Sequence, residues 1–83
     1  MNSLNEIKVI TKKDFVRLLH QLSDDFKSNP DKWENTSIDD YLDAMAAWVD
    51  DMDGYYLNFG REVPKQINWS VIADIVIAAR DYE

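Results

Sequence analysis

Reactive side chains are scarce in this sequence and unevenly placed. The chain has no cysteine, so disulfides and thiolate metal sites are excluded. His20 is its one histidine, and a single imidazole without a second His or a Cys does not build a zinc site. It falls at the edge of a helical pattern, away from the apolar stripe, which reads as a surface position. Gly54 and Gly60 are the only glycines, too few for a loop that cradles phosphate through its backbone. No Ser is set beside a base in a pattern that would activate it for nucleophilic attack. No pair of carboxylates is singled out for acid–base work. The sequence therefore predicts no catalytic residue, no cofactor and no metal.

One motif invites a calcium reading. Asp51, Asp53 and Gly54 have the look of an EF-hand loop with Gly54 in its sixth place. The loop then needs an Asp at its first position and an acid at its twelfth. Those positions hold Val49 and Gly60, so the motif fails at both ends. A weaker cation site from Asp50, Asp51, Asp53 and Asn58 is an unspecific alternative.

Charge carries more information. The formal net charge is −7 with a pI near 4.5. Residues 31–53 hold Asp31, Glu34, Asp39, Asp40, Asp43, Asp50, Asp51 and Asp53 against Lys32 alone, which places the entire net charge in that segment. Such a balance disfavours nonspecific nucleic-acid binding and attraction to anionic membranes, both of which need Lys and Arg. A basic protein partner fits it. The plainer reading is a solvated face that keeps the protein soluble. Asp, however, is a poor helix former, and Asp50 and Asp51 would oppose the negative end of a helix dipole. This local cost favours a contact surface made of Asp39, Asp43, Asp50, Asp51 and Asp53, continued into Tyr55 and Tyr56. An aromatic ring beside carboxylates suits recognition of Lys or Arg.

The elements that must position these residues follow from periodicity. Thr11 and Asp14 form a capping pair at the start of a first helix, about 12–28. Phe15, Leu18, Leu19, Leu22 and Phe26 give it one apolar stripe, and Asn29-Pro30 ends it. Glu6–Ile10 reads as a short extended segment. Trp33 anchors the connector that follows. Ser37 caps a second helix, 38–52, whose apolar face is Ile38, Tyr41, Leu42, Met45, Trp48, Val49 and Met52. Asp53-Gly54 is the expected stop, with Gly54 in the left-handed position after the helix. Residues 55–68 then form an ordered aromatic loop packed onto the body, with one of Tyr55, Tyr56 or Phe59 left exposed beside the carboxylates. Asn68 caps a third helix, 69–82, with Val71, Ile72, Ile75, Ala79 and Tyr82 inward and Ile77 nearly opposite. The expected fold is all-α: one domain, a small three-helix bundle. Its ten aromatic residues supply the large apolar surfaces that a chain of 83 residues needs for a core.

Several blocks are distinctive: Trp33-Glu34-Asn35, then Ala44-Met45-Ala46-Ala47-Trp48, then Asp51-Met52-Asp53-Gly54-Tyr55-Tyr56, and the ending Ala78-Ala79-Arg80-Asp81-Tyr82-Glu83. Over residues 11–83 the chain resembles a family of small bacterial proteins of unknown function. The resemblance implies a free-standing bacterial domain and brings no activity, cofactor or catalytic residue with it. No apolar run is long enough to span a bilayer and no signal peptide is seen, so the expected compartment is the cytoplasm. The functional expectation is a noncatalytic interaction module, in its most specific form an immunity-like protein that masks a basic toxin. The alternative is a small homo-oligomeric accessory domain that self-associates through Ile77 and exposed aromatics.

Overall fold

A computed structural model describes residues 8–82. Among them are three α-helices, α1 (Lys12–Ser28), α2 (Ile38–Asn58) and α3 (Trp69–Ala79), with one 3-10 turn at Pro30–Lys32 and no strand. The architecture is the expected three-helix bundle.

The helix starts are set by side chains that satisfy free backbone donors. Thr11 Oγ1 accepts from the Asp14 N–H at 3.2 Å, and Asp14 returns the favour by accepting from the Thr11 N–H at 3.1 Å. Asp14 also accepts from the Ile10 N–H at 3.0 Å, and these backbone donors hold its carboxyl below the usual range. Ser37 and Asn68 do the same work for α2 and α3.

The ends of α2 and α3 differ from expectation. α2 does not stop at Gly54. It continues for four more residues, and Gly54 sits in an ordinary helical conformation with open space around it. The stop is Gly60, whose φ of +66° supplies the left-handed turn. The Arg61 N–H reaches the Tyr56 carbonyl at 2.8 Å and the Gly60 N–H reaches that of Leu57 at 3.1 Å, the paired bonds of a Schellman ending. Packing explains the extension. Tyr55 and Tyr56 stand seven and eight residues beyond Trp48, so helical continuation keeps both rings on the side of the helix that Trp48 occupies. Burying them outweighs the helix cost of Gly54, about 1 kcal/mol. The expected aromatic loop 55–68 is thus shortened to 59–68; Leu57 is exposed rather than packed down, and Phe59 is the exposed one of the three aromatics.

α3 ends three residues early, at Ala79. Asn35 accounts for the shape of its exit: its side-chain amide donates to the carbonyls of Ala79 (2.9 Å) and Tyr82 (2.8 Å), and its backbone N–H donates to that of Arg80 (3.1 Å). Trp33, two residues before it, donates its indole N–H to Asp25 at 2.7 Å and lies against Phe26 and Tyr41. The connector is anchored by its Trp as the sequence predicts.

The core centres on α3, which packs against both α1 and α2. Val9, Leu18, Leu22, Ala73 and Val76 form the buried cluster, with Phe15, Trp33, Met45 and Ile77 packed on it. A helix flanked on two sides must be apolar on more than one face, which is why α3 has so little polar surface. This corrects the outward placement of Ile77: it is half-buried against the cluster, and neighbouring Ala73 is buried. Val9 reaches the core from the segment before α1. Residues 8–10 are not a strand, and Glu6 and Ile7 of that expected segment lie outside the described residues.

The buried side of α2 is also displaced from the expected face. Ala44, Trp48 and Tyr56 are buried, while Ile38 is 74%, Leu42 52% and Val49 42% exposed. Small Ala44 lets the helix approach the body, and the Tyr41 hydroxyl fixes it by donating to the Val76 carbonyl at 2.7 Å. Three large aliphatic side chains are left facing solvent.

Candidate functional site: an acidic helix face and an aromatic cleft

The outer side of α2 brings together most of the carboxylates singled out by sequence. Asp39, Asp43 and Asp50 recur at i, i+4 and i+11 and are all exposed. Asp51 and Asp53 are exposed as well. Among the described residues, none of the five forms an ion pair with a Lys or Arg. Asp39 sits in the first turn, where the Ser37 hydroxyl and the backbone N–H groups of Asp40 and Asp39 hold its carboxyl below the ordinary value. Asp51 accepts a short hydrogen bond from the Tyr82 hydroxyl, which raises the phenol above its usual range. No group of Asp, Glu and His among the described residues is gathered closely enough to hold a metal ion, so Asp50, Asp51 and Asp53 do not converge as the weak cation site would require.

Beside this acidic row runs an apolar one. Ile38, Leu42 and Val49 each precede one of Asp39, Asp43 and Asp50 in sequence, so the two rows run parallel along the helix, roughly a quarter-turn apart around its axis. α2 therefore presents a ridge of exposed aliphatic side chains flanked by uncompensated carboxylates. The sequence hid this feature because the three aliphatics were counted into the core face.

The two tyrosines separate. Tyr56 is 1% exposed, so its ring belongs to the core and cannot touch a partner. Its hydroxyl donates to Asp74 at 2.8 Å; burial first, then that bond, pushes the phenol well above its usual value. Tyr55 is half-buried between Trp48 (5.3 Å between ring centres) and Phe59 (5.0 Å).

These rings form one wall of a second feature, a cleft of about 480 Å³ between the far half of α2 and the side of α3. Ala73 and Ile77 face them from α3, and Val9 contributes from the segment before α1. The polar lining comes from Arg61, Asp74, Arg80, Asp81 and Ser70. Arg80 is committed: it donates to Asp81 at 2.7 and 2.9 Å, approaches Asp25 at 3.6 Å and lies over the Trp33 ring. Arg61 is not. The Schellman turn carries it over the Tyr56 ring, 4.8 Å from the centre, and its nearest carboxylate oxygen is that of Asp74 at 3.7 Å, beyond hydrogen-bond reach. Sequence reasoning missed this cleft. Its one available signal was Asp74, the only charge in the eleven residues of α3.

Among the described residues, fold and surface define a small all-helical domain with a negatively charged outer helix and an aromatic cleft. The chain belongs to a family of unknown function (DUF7660), whose model matches residues 11–83. No curated protein and no solved structure matches it. No helix among the described residues is long and apolar enough to cross a membrane.

Proposed function

We propose that the protein is a noncatalytic interaction module whose contact surface is the outer face of α2. The observation that supports this reading is the paired rows: Ile38, Leu42 and Val49 exposed near Asp39, Asp43 and Asp50, with no Lys or Arg among the described residues paired to these carboxylates. A solubilising surface has no use for three large aliphatics, and a plain hydrophobic dimer surface has no use for the aspartates. The combination fits a basic partner that also offers an apolar stripe. Aspartates steer such a partner and reject acidic ones, while the aliphatics supply contact that salt does not screen. An immunity-like protein that covers a basic toxin is one member of this class.

A helical peptide carrying Lys and Leu on a common face is the direct probe. Wild-type protein should bind it with affinity that falls steeply with salt. Reversing Asp39, Asp43 and Asp50 to Lys should abolish binding, and Leu42→Ser with Val49→Ser should weaken it at every salt concentration. Absence of binding at low salt would defeat the proposal.

Self-association of an accessory domain is the competing reading. Ile77 is half-buried in the bundle, so such a contact would use other exposed apolar side chains: Val16 and Leu19 of α1, Phe59, Trp69, or the α2 ridge. A symmetric contact on that ridge sets two aspartate rows against each other, which disfavours it there. Light scattering decides: a mass that rises with concentration supports the accessory domain over the interaction module.

A further inference from the structure

The aromatic cleft lies apart from the α2 ridge and is not explained by it. Its size falls in the usual range for small-molecule sites, about 300–1,000 Å³, and its lining is divided almost evenly between apolar and polar or charged groups. The decisive group is Arg61. Two of the chain's three arginines line the cleft, but Arg80 has its donors engaged whereas the Arg61 guanidinium makes no hydrogen bond among the described residues. The Asp74 oxygen nearest to it already accepts the Tyr56 hydroxyl. A planar fork of donors, held in place over a ring and half exposed, is suited to a carboxylate or a similar anion.

We infer that the cleft binds a small amphiphilic anion, its flat apolar body lying against Trp48, Tyr55 and Phe59 and its anionic group on Arg61. The charge of −7 does not forbid an anion here. The charges lining the cleft balance, with Arg61 and Arg80 against Asp74 and Asp81. Carboxylates more than about 8 Å away are largely screened at physiological ionic strength.

Three probes of one shape separate the possibilities: 3-phenylpropanoate, 3-phenylpropanol and 3-phenylpropylammonium, each titrated while backbone amide shifts are followed by NMR. The carboxylate should bind about tenfold or more tighter than the other two, as charge-assisted hydrogen bonds imply. Its shifts should cluster on Trp48, Tyr55, Phe59, Arg61 and Ile77. Arg61→Met, which keeps the stem over Tyr56, should remove the preference for the carboxylate, and Arg61→Lys should retain part of it. Phe59→Ala, at a site 69% exposed and safe for folding, should weaken all three probes alike. Equal affinity for the three, a preference for the ammonium, shifts centred elsewhere, an unchanged preference in Arg61→Met, or no binding at millimolar concentration would each overturn the assignment.

Discussion

Single side chains close this fold at points where the backbone runs out of partners. Asn35 is the clearest, since one amide serves two carbonyls just past α3. Asn35→Ala should lower the unfolding free energy by about 1–3 kcal/mol, the cost of leaving part-buried acceptors unpaired, as measured by urea denaturation. Tyr56 makes a second test. Its folded-state pKa is raised, so its contribution is fully present below the unfolded value near pH 10 and is lost as pH climbs from there toward the folded value. The wild type should lose stability progressively above about pH 10. Tyr56→Phe, with no proton to lose at that site, should flatten the alkaline limb of a stability–pH curve. An identical limb in the variant would show that the Tyr56–Asp74 bond does not govern it.

At the scale of elements, the two glycines make a matched pair. Gly54 is helical with nothing near its missing side chain, so Gly54→Ala should stabilise the protein by about 0.5–1 kcal/mol. Gly60 takes a positive φ, and Gly60→Ala should destabilise it by about 1 kcal/mol. Thermal melts of both variants locate the end of α2 without coordinates: opposite signs place it after Gly60, and a destabilising Gly54→Ala would return it to Gly54. Local signals made the helix starts legible, because Thr11, Ser37 and Asn68 cap through atoms within three residues. The end of α2 was not legible by that route. Gly54 is a strong local stop, and only the burial of Tyr56 against distant α3 overrides it. The apolar rows failed for the same reason. Periodicity finds an oily side of α2 but not how far the body reaches around it, so Leu42 and Val49 were assigned inward. The aspartates were legible because charge needs no neighbour to be counted. The cleft was not, since it exists only where Arg61 and Asp74, thirteen positions apart, come together.

For the molecule as a whole, seven net negative charges concentrated on one connector and one helix make self-repulsion a property of the fold. Neutralising Asp43 and Asp50 together as Asn should leave stability unchanged or raised at low ionic strength, and the same variant should associate more slowly with a basic peptide. Added salt should raise the wild-type melting temperature and have less effect on the variant. A melting temperature that falls with salt would mean that attractive pairs such as Arg80–Asp25 outweigh the repulsion.

The central place of α3 has a consequence for how the chain is made. α1 and α2 both precede it, and each turns its oily side toward α3. A ribosome that has released only the first two helices has therefore produced two amphipaths joined through Trp33, which lies against Phe26 and Tyr41, but without the helix that fills the core. Nascent chains arrested before residue 69 should be digested readily by protease, and resistance should arrive in one step once Trp69–Ala79 has cleared the exit tunnel. Until then, keeping such a chain from clumping falls to the same aspartates that later face outward.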